Sequence, residues 1–179
     1  MTVVVARYKE DISWLRHLSN INPFVINKAQ HNDPYSSIVL PNIGRESHSY
    51  LWYIVNHYVC LDEHTCFLQG NPFQHFPHVF DVINGFDGSL DFLPFGQVYT
   101  TIKDACPHHS DLVMSAFDDV VKTPQEWQFH AGAQFIVSKQ RIHRHSREFY
   151  QDLLARHETN EQTPWCLERL WEFIFGDAR

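Results

Sequence analysis

Residues 2–6 read Thr-Val-Val-Val-Ala, four β-branched residues and an alanine with no polar alternation. A strand exposed on one face alternates polar and apolar positions, so a continuous run demands cover on both faces, as inside a parallel sheet. The run predicts a central strand, and with it an α/β architecture. The segments that follow agree. Arg7-Tyr-Lys-Glu-Asp11 turns the chain into a short helix carrying Ile12, Leu15 and Leu18. Phe24–Asn27 reads as a second strand followed by Lys28, and Ser37–Leu40 as a third that Pro41 ends. Leu51, Ile54, Val55 and Tyr58 recur at i, i+3, i+4 and i+7, predicting a helix from about Arg45 to Tyr58. Thr65–Gln69 is a further strand, stopped by Gly70 and Pro72. This alternation predicts an open, mostly parallel sheet flanked by helices. At 179 residues the chain buries about 70% of its unfolded surface, enough for a single domain over 1–179.

The second half is less regular. Pro and Gly interrupt residues 71–107, leaving one short helix near Val79–Ile83 and an extended piece at Gln97–Ile102. Long irregular insertions often carry binding loops. Asp111–Val121 predicts a helix, and Thr123-Pro-Gln-Glu126 has the spacing of a capping box that starts a helical turn. Ala133–Val137 reads as a strand, preceded by His130-Ala-Gly132, where backbone could closely approach a ligand. One helix is expected over Lys139–His157, burying Ile142, Phe149, Tyr150, Leu153 and Leu154. A last helix begins at Pro164 with Thr163 as N-cap, burying Leu167, Leu170, Trp171 and Ile174 and carrying Glu168 and Glu172 opposite.

Charge and motifs narrow the function classes. Lys+Arg 14 against Asp+Glu 21 gives 14 − 21 = −7, which repels a polyphosphate backbone. Lys139, Arg141, Arg144 and Arg147 are the one candidate basic patch, but on a helix they spread around the surface as a solvated face. Nucleic acid is not an expected partner. Cys60, Cys66, Cys106 and Cys166 show no CxxC spacing and lie in or beside apolar elements, as buried reduced thiols of a cytoplasmic protein do. No stretch approaches the roughly 18 apolar residues of a membrane span, and 3–6 is too short for a signal segment. No GxSxG, P-loop, HExxH or HxE…CxxC arrangement occurs, so serine hydrolase, kinase, zincin and zinc deaminase readings lack their signatures.

Two corners carry the polar groups. Asn42, Gly44, Arg45 and Glu46 open the first long helix, and Gln69-Gly70-Asn71 follows the fourth strand. Arg45 and Glu46 at a helix N-terminus could bind phosphate or ribose, since free N–H groups favour an anion and Arg adds a forked donor. Equally, Glu46 could complement the helix dipole with Arg45 paired to it. Gln69 and Asn71 could likewise only tie down their own turn.

Val4–Leu15, Asn27-Lys28, Leu40–Leu51, Phe67–Pro72, Gly132–Phe135 and Leu167–Trp171 resemble, in order, the blocks of the domain of unknown function 3431 family. That family is similar to glycosyltransferases of the GT-A type, so the resemblance implies a nucleotide-diphospho-sugar transferase-like fold. It implies an enzyme that moves a sugar from a nucleotide-sugar donor to a carbohydrate or other hydroxyl acceptor. Arg7, Tyr8 and Glu10 then stand where base and ribose are held, with Asn27, Lys28, Asn42, Gly44, Arg45, Glu46, Gln69 and Asn71 completing the donor site. Metal-dependent relatives, which use Mn or Mg, carry Asp-x-Asp where this chain has Gln69-Gly70-Asn71. Neutral amides are poor partners for a divalent cation unless a carboxylate or imidazole joins them. Either Arg7, Lys28 or Arg45 neutralises the diphosphate, or His75 and His78 complete a metal site. The resemblance makes Glu168 the candidate general base, although helix-face carboxylates beside Arg169 and Glu172 are ordinarily solvated. His130 is a second acid–base candidate, with a packed imidazole as the bland alternative. Asp87 with Asp91, and Asp118 with Asp119, are close acidic pairs that loop solvation or capping also explains. The competing reading is a catalytically inactive nucleotide- or carbohydrate-binding module of the same fold. A metal-dependent hydrolase rests only on the 13 histidines.

Overall fold

The computed structural model describes residues 1–18, 21, 23–29, 34–107 and 109–177. Six strands form one sheet in the order β3-β2-β1-β4-β8-β5. They are β1 (Thr2–Arg7), β2 (Pro23–Asn27), β3 (Ser36–Val39), β4 (His64–Gln69), β5 (Phe92–Pro94) and β8 (Phe135–Ser138). The first four run parallel, whereas β8 is antiparallel to both β4 and β5. The β-branched run is an interior strand, as its composition requires. Val4 faces one side of the sheet with Ile26, Phe67 and Phe135, while Val3 and Val5 face the other with Val25, Cys66, Leu68 and Ile136.

The first side is covered by α1 (Arg45–His57), α4 (Arg147–Thr159) and α5 (Thr163–Phe175). Aromatic rings fill it. Phe135 lies with its ring centroid 5.3 Å from Phe67, 5.9 Å from Tyr50, 5.5 Å from Trp171 and 5.4 Å from Phe175. Such tilted and edge-on contacts suit the ring quadrupoles. The second side is covered by the 3-10 turn Ser13–His17 and by α2 (Val79–Gly85), with Trp14, Leu15, Val79 and Ile83 inward. Among the described residues no helix is long and apolar enough to cross a membrane.

The second half departs from the sequence reading in four places. Asp111–Val121 is not a helix, since only Met114–Phe117 forms a 3-10 turn. The expected helical turn at Thr123 is instead the approach to β7 (Glu126–His130), which pairs antiparallel with β6 (Val98–Ile102). Trp127 and Phe129 point inward, and Trp127 Nε1 donates to the Arg169 carbonyl at 3.0 Å. The expected helix over 139–157 breaks into α3 (Lys139–Ile142) and α4. Ser146 causes the restart, its hydroxyl accepting from Phe149 N at 3.3 Å as an N-cap. Thr163 is the first residue of α5 rather than its cap, and its hydroxyl donates to the Arg156 carbonyl at 3.2 Å. The cysteines also divide: Cys66, Cys106 and Cys166 are buried free thiols, but Cys60 is exposed.

Candidate functional site

Parallel pairing sets the strand ends level. Register aligns Arg7 with Asn27 and Ala6 with Gln69, so β1, β2 and β4 finish at one rim. The chain steps outward from β1 to β2 and β3, then returns to place β4 on the other side of β1. At such a reversal the loops leaving neighbouring strands diverge and leave a crevice beyond the carboxyl ends. A cavity of about 410 Å³ lies there, lined from β1 and its loop by Ala6, Arg7, Tyr8 and Glu10. Lys28 follows β2, Asn42, Arg45 and Glu46 lead into α1, and Gln69 to Asn71 with Gln74 and His75 follow β4.

Ten of the residues singled out from sequence therefore share one hollow: Arg7, Tyr8, Glu10, Lys28, Asn42, Arg45, Glu46, Gln69, Asn71 and His75. Three do not line it. Asn27 is fully buried, and its Oδ1 accepts from Ala29 N at 2.9 Å to turn the chain after β2. Gly44 has no side chain to contribute, but its left-handed backbone, φ +62°, lets α1 begin where it does. Glu168 lies outside the lining set. Its Oε1 accepts from Gly132 N at 2.7 Å, and Arg169 Nη1 donates to its Oε2 at 3.4 Å. One turn on, Glu172 Oε1 accepts from His130 N at 3.0 Å and lies 2.7 Å from His130 Nδ1. The two carboxylates of α5 thus fasten the β7–β8 turn, whose Gly132 and Ala133 both have positive φ. A Cβ on Gly132 would meet His75 Cβ at 2.8 Å, so this turn backs the His75 wall of the cavity.

Lys28 organises the opposite wall. Its Nζ donates to the Ile43 carbonyl at 2.5 Å and to the Arg45 carbonyl, gathering the loop that precedes α1. Burial pulls this ammonium down to about 8, partly countered by the Glu46 charge. Glu46 is only 9% exposed, and burial raises its carboxyl despite Arg45, whose Nε lies 3.6 Å from Glu46 Oε2. Glu168 adds to that rise and Lys28 opposes it. Arg45 is 56% exposed, with its guanidinium carbon 5.4 Å from the centroid of Trp165. Across the cavity, Glu10 Oε2 accepts from Tyr8 N at 2.6 Å and Lys9 N at 3.1 Å. Gly70 permits this fold, since a Cβ there would sit 2.6 Å from Glu10 Oε2.

Behind α1, Ser47 Oγ lies 2.8 Å from His157 Nε2, whose other nitrogen is 3.1 Å from the Leu153 carbonyl. That carbonyl accepts a hydrogen bond from Nδ1–H, leaving Nε2 as the acceptor. Burial pushes His157 down to about 4, and burial followed by the Lys28 and His157 charges pushes His48 down to about 3. Both rings fold neutral, whereas the unfolded chain takes up their protons below about pH 6.5. Their contribution is complete above that pH and is lost as pH falls toward the folded values. Glu46 works oppositely above its unfolded value of 4.5, since its raised carboxyl keeps a proton the unfolded chain releases. Urea unfolding is therefore expected to show stability falling from pH 6.5 to 5. His48→Leu should make that fall shallower by up to about 1.4 kcal/mol per pH unit. An unaltered slope would remove His48 as a source.

The remaining acid–base candidates are engaged elsewhere. His78 is a surface residue, its Nδ1 3.2 Å from Asp81 Oδ2. Asp87 Oδ1 accepts from Ser89 N at 2.9 Å, and Asp91 lies 3.7 Å from Arg141 Nε. Lys103 holds Asp118 and Arg156 holds Asp119. The basic residues of 139–147 form no stripe: Arg141 and Arg144 meet Asp177, Lys139 Nζ caps the Val59 carbonyl at 3.3 Å, and Arg147 Nε donates to the Val55 carbonyl at 2.8 Å. Among the described residues no group of three or more His, Cys, Asp or Glu side chains is placed to hold a metal ion.

Sequence reasoning missed Gln74 as a lining residue and Trp165 as the ring beneath Arg45. Gln74 closes the turn that Pro72 opens shortly after β4, a local cue; Trp165 comes from a distant helix and leaves none. No curated protein matches the chain. A family model does match, over residues 3–84 and 94–179, which include every cavity-lining residue. The chain belongs to the family described as Protein of unknown function (DUF3431).

Proposed function

We propose that this protein is a glycosyltransferase of the GT-A type that moves a sugar from a nucleotide-sugar donor to a hydroxyl acceptor. The observation that carries the reading is the meeting of Arg7, Tyr8, Lys28, Arg45 and Gln69 in one cavity at the carboxyl ends of parallel strands, where the strand order reverses. Open α/β sheets take nucleotide ligands at that place. The cavity mixes the cations of Arg7, Lys28 and Arg45 with amides, one phenol, one imidazole and the carboxylates of Glu10 and Glu46, so its cationic groups suit a diphosphate and its amides and carboxylates suit flanking hydroxyl-rich rings. On this reading Tyr8 and Glu10 meet the base and ribose, Arg45 meets the diphosphate, and Gln69 and Asn71 meet the sugar.

A second reading, a binding module of the same fold without catalysis, is favoured by one contact. Glu168, the candidate base, spends Oε1 on the Gly132 amide and does not line the cavity. Thermal shift against a panel of nucleotide sugars and free nucleotides separates these readings from an empty scaffold. A ligand that binds only the native state at about one hundred times its Kd stabilises by about 2.7 kcal/mol. One donor is expected to raise the melting temperature by several degrees, and Arg45→Ala to remove the shift. Glu168→Gln should keep the shift and lose turnover if the protein is an enzyme. Retained turnover would eliminate Glu168 as base, and a panel without a single shift would overturn the donor site.

A further inference from the structure

We propose that the cavity holds an anionic diphosphate on a guanidinium frame centred on Arg45, in place of a divalent cation. The inference rests on the nucleotide-sugar reading and specifies how that site balances charge. A divalent cation wants several oxygen ligands with carboxylates among them. Each carboxylate of this cavity is already engaged: Glu10 Oε2 receives the amides of Tyr8 and Lys9, and Glu46 is buried against Arg45 with Lys28 nearby. Beyond β4 stand the neutral amides of Gln69 and Asn71, with His75 the one imidazole in the lining. That donor set does not fit Mn or Mg.

Arg45 fits the alternative role. It makes no hydrogen bond to the protein through its guanidinium among the described residues, yet it is held at the rim by the Trp165 ring on one side and by Glu46 at 3.6 Å. A guanidinium stacked on a ring keeps its edge N–H groups available for a bidentate acceptor. The first turn of α1 adds amides without intrahelical partners, because the helical ladder begins with His48 N donating to the Gly44 carbonyl at 3.0 Å. Lys28 supplies positive charge behind the same loop while fixing its carbonyls. Charge, donors and a positioned cation thus meet on one wall.

Isothermal titration of the full chain with inorganic pyrophosphate and with UDP, each in EDTA and in Mn²⁺, tests this. UDP is expected to bind in EDTA within about threefold of its affinity in Mn²⁺, since no ligand set waits for the metal. Arg45→Gln should weaken both probes by about tenfold or more, the loss of a charge-assisted bidentate contact. Trp165→Leu, which keeps the Arg45 charge but removes the ring that holds it, should weaken them several-fold. Binding seen only with Mn²⁺ would overturn the guanidinium frame while leaving the nucleotide-sugar reading intact. Undiminished affinity in both variants would also overturn it. Absence of binding to either probe and to every nucleotide sugar, with and without Mn²⁺, would overturn both.

Discussion

Gly44→Ala is expected to lower the melting temperature by about 10 °C, as a loss of roughly 3 kcal/mol does in a domain of this size. Two separate costs produce it. The residue sits at φ +62°, where a side chain costs about 1–2 kcal/mol. The added Cβ would also lie 2.2 Å from His157 Cδ2 and 2.7 Å from His48 Cβ. His157 can yield only by leaving the Leu153 carbonyl of its own helix and Ser47, the contact that ties α4 to the start of α1. Overpacking of this kind costs about 1–3 kcal/mol. Gly85→Ala is the control, because it ends α2 with nothing within 4 Å of the new Cβ. Differential scanning calorimetry of the two variants should separate them clearly, and equal midpoints would refute the packing behind the cavity wall.

Lys28→Met is expected to cost about 3 kcal/mol and to abolish donor binding together. Met keeps the apolar stem and removes every donor. The carbonyls of Ile43 and Arg45 would then be left without the ammonium that gathers them. A buried acceptor stripped of its partner costs about 1–3 kcal/mol, more where the partner was charged. Glu46 would lose a neighbouring positive charge as well. Because both residues act on the same loop, their substitutions should not add. Lys28→Met combined with Glu46→Gln should be less destabilised than the two single losses summed, by about 0.5 kcal/mol or more. Chemical denaturation of the four proteins in that cycle measures it, and strict additivity would contradict the coupling. Ligand binding by a stable Lys28→Met protein would show that the Pro41–Arg45 loop does not need its clamp.

Local and parallel features of this chain were legible before its structure. β1 could be placed inside the sheet because the valines of Thr2–Ala6 need cover on both faces. The gathering of polar residues at one rim came with the family resemblance, and parallel strands, which bring their carboxyl ends level, account for it. What escaped depended on distant partners. β7 carries the alternation Glu126-Trp-Gln-Phe-His130, a visible strand signal, but the capping-box spacing at Thr123 competed with it. Its pairing with β6 comes from a segment far back in sequence, which decided the matter. The break before α4 was readable in Ser146, a good N-cap, yet the apolar spacing from Ile142 to Leu153 hid it. What the Glu168 carboxylate touches was hidden for a comparable reason. Its position on the helix was foreseen, but the turn that claims its carboxylate is fixed by Gly132 packing against His75.

Hydrogen exchange read by mass spectrometry, with and without the donor that gives the largest thermal shift, tests the shared cavity most directly. Protection is expected to concentrate in three separated segments, 7–10, 42–47 and 69–75, because their amides and side chains line one hollow. Protection falling instead around residues 89–94 and 172–177, which line a second hollow at the far edge of the sheet, would contradict it.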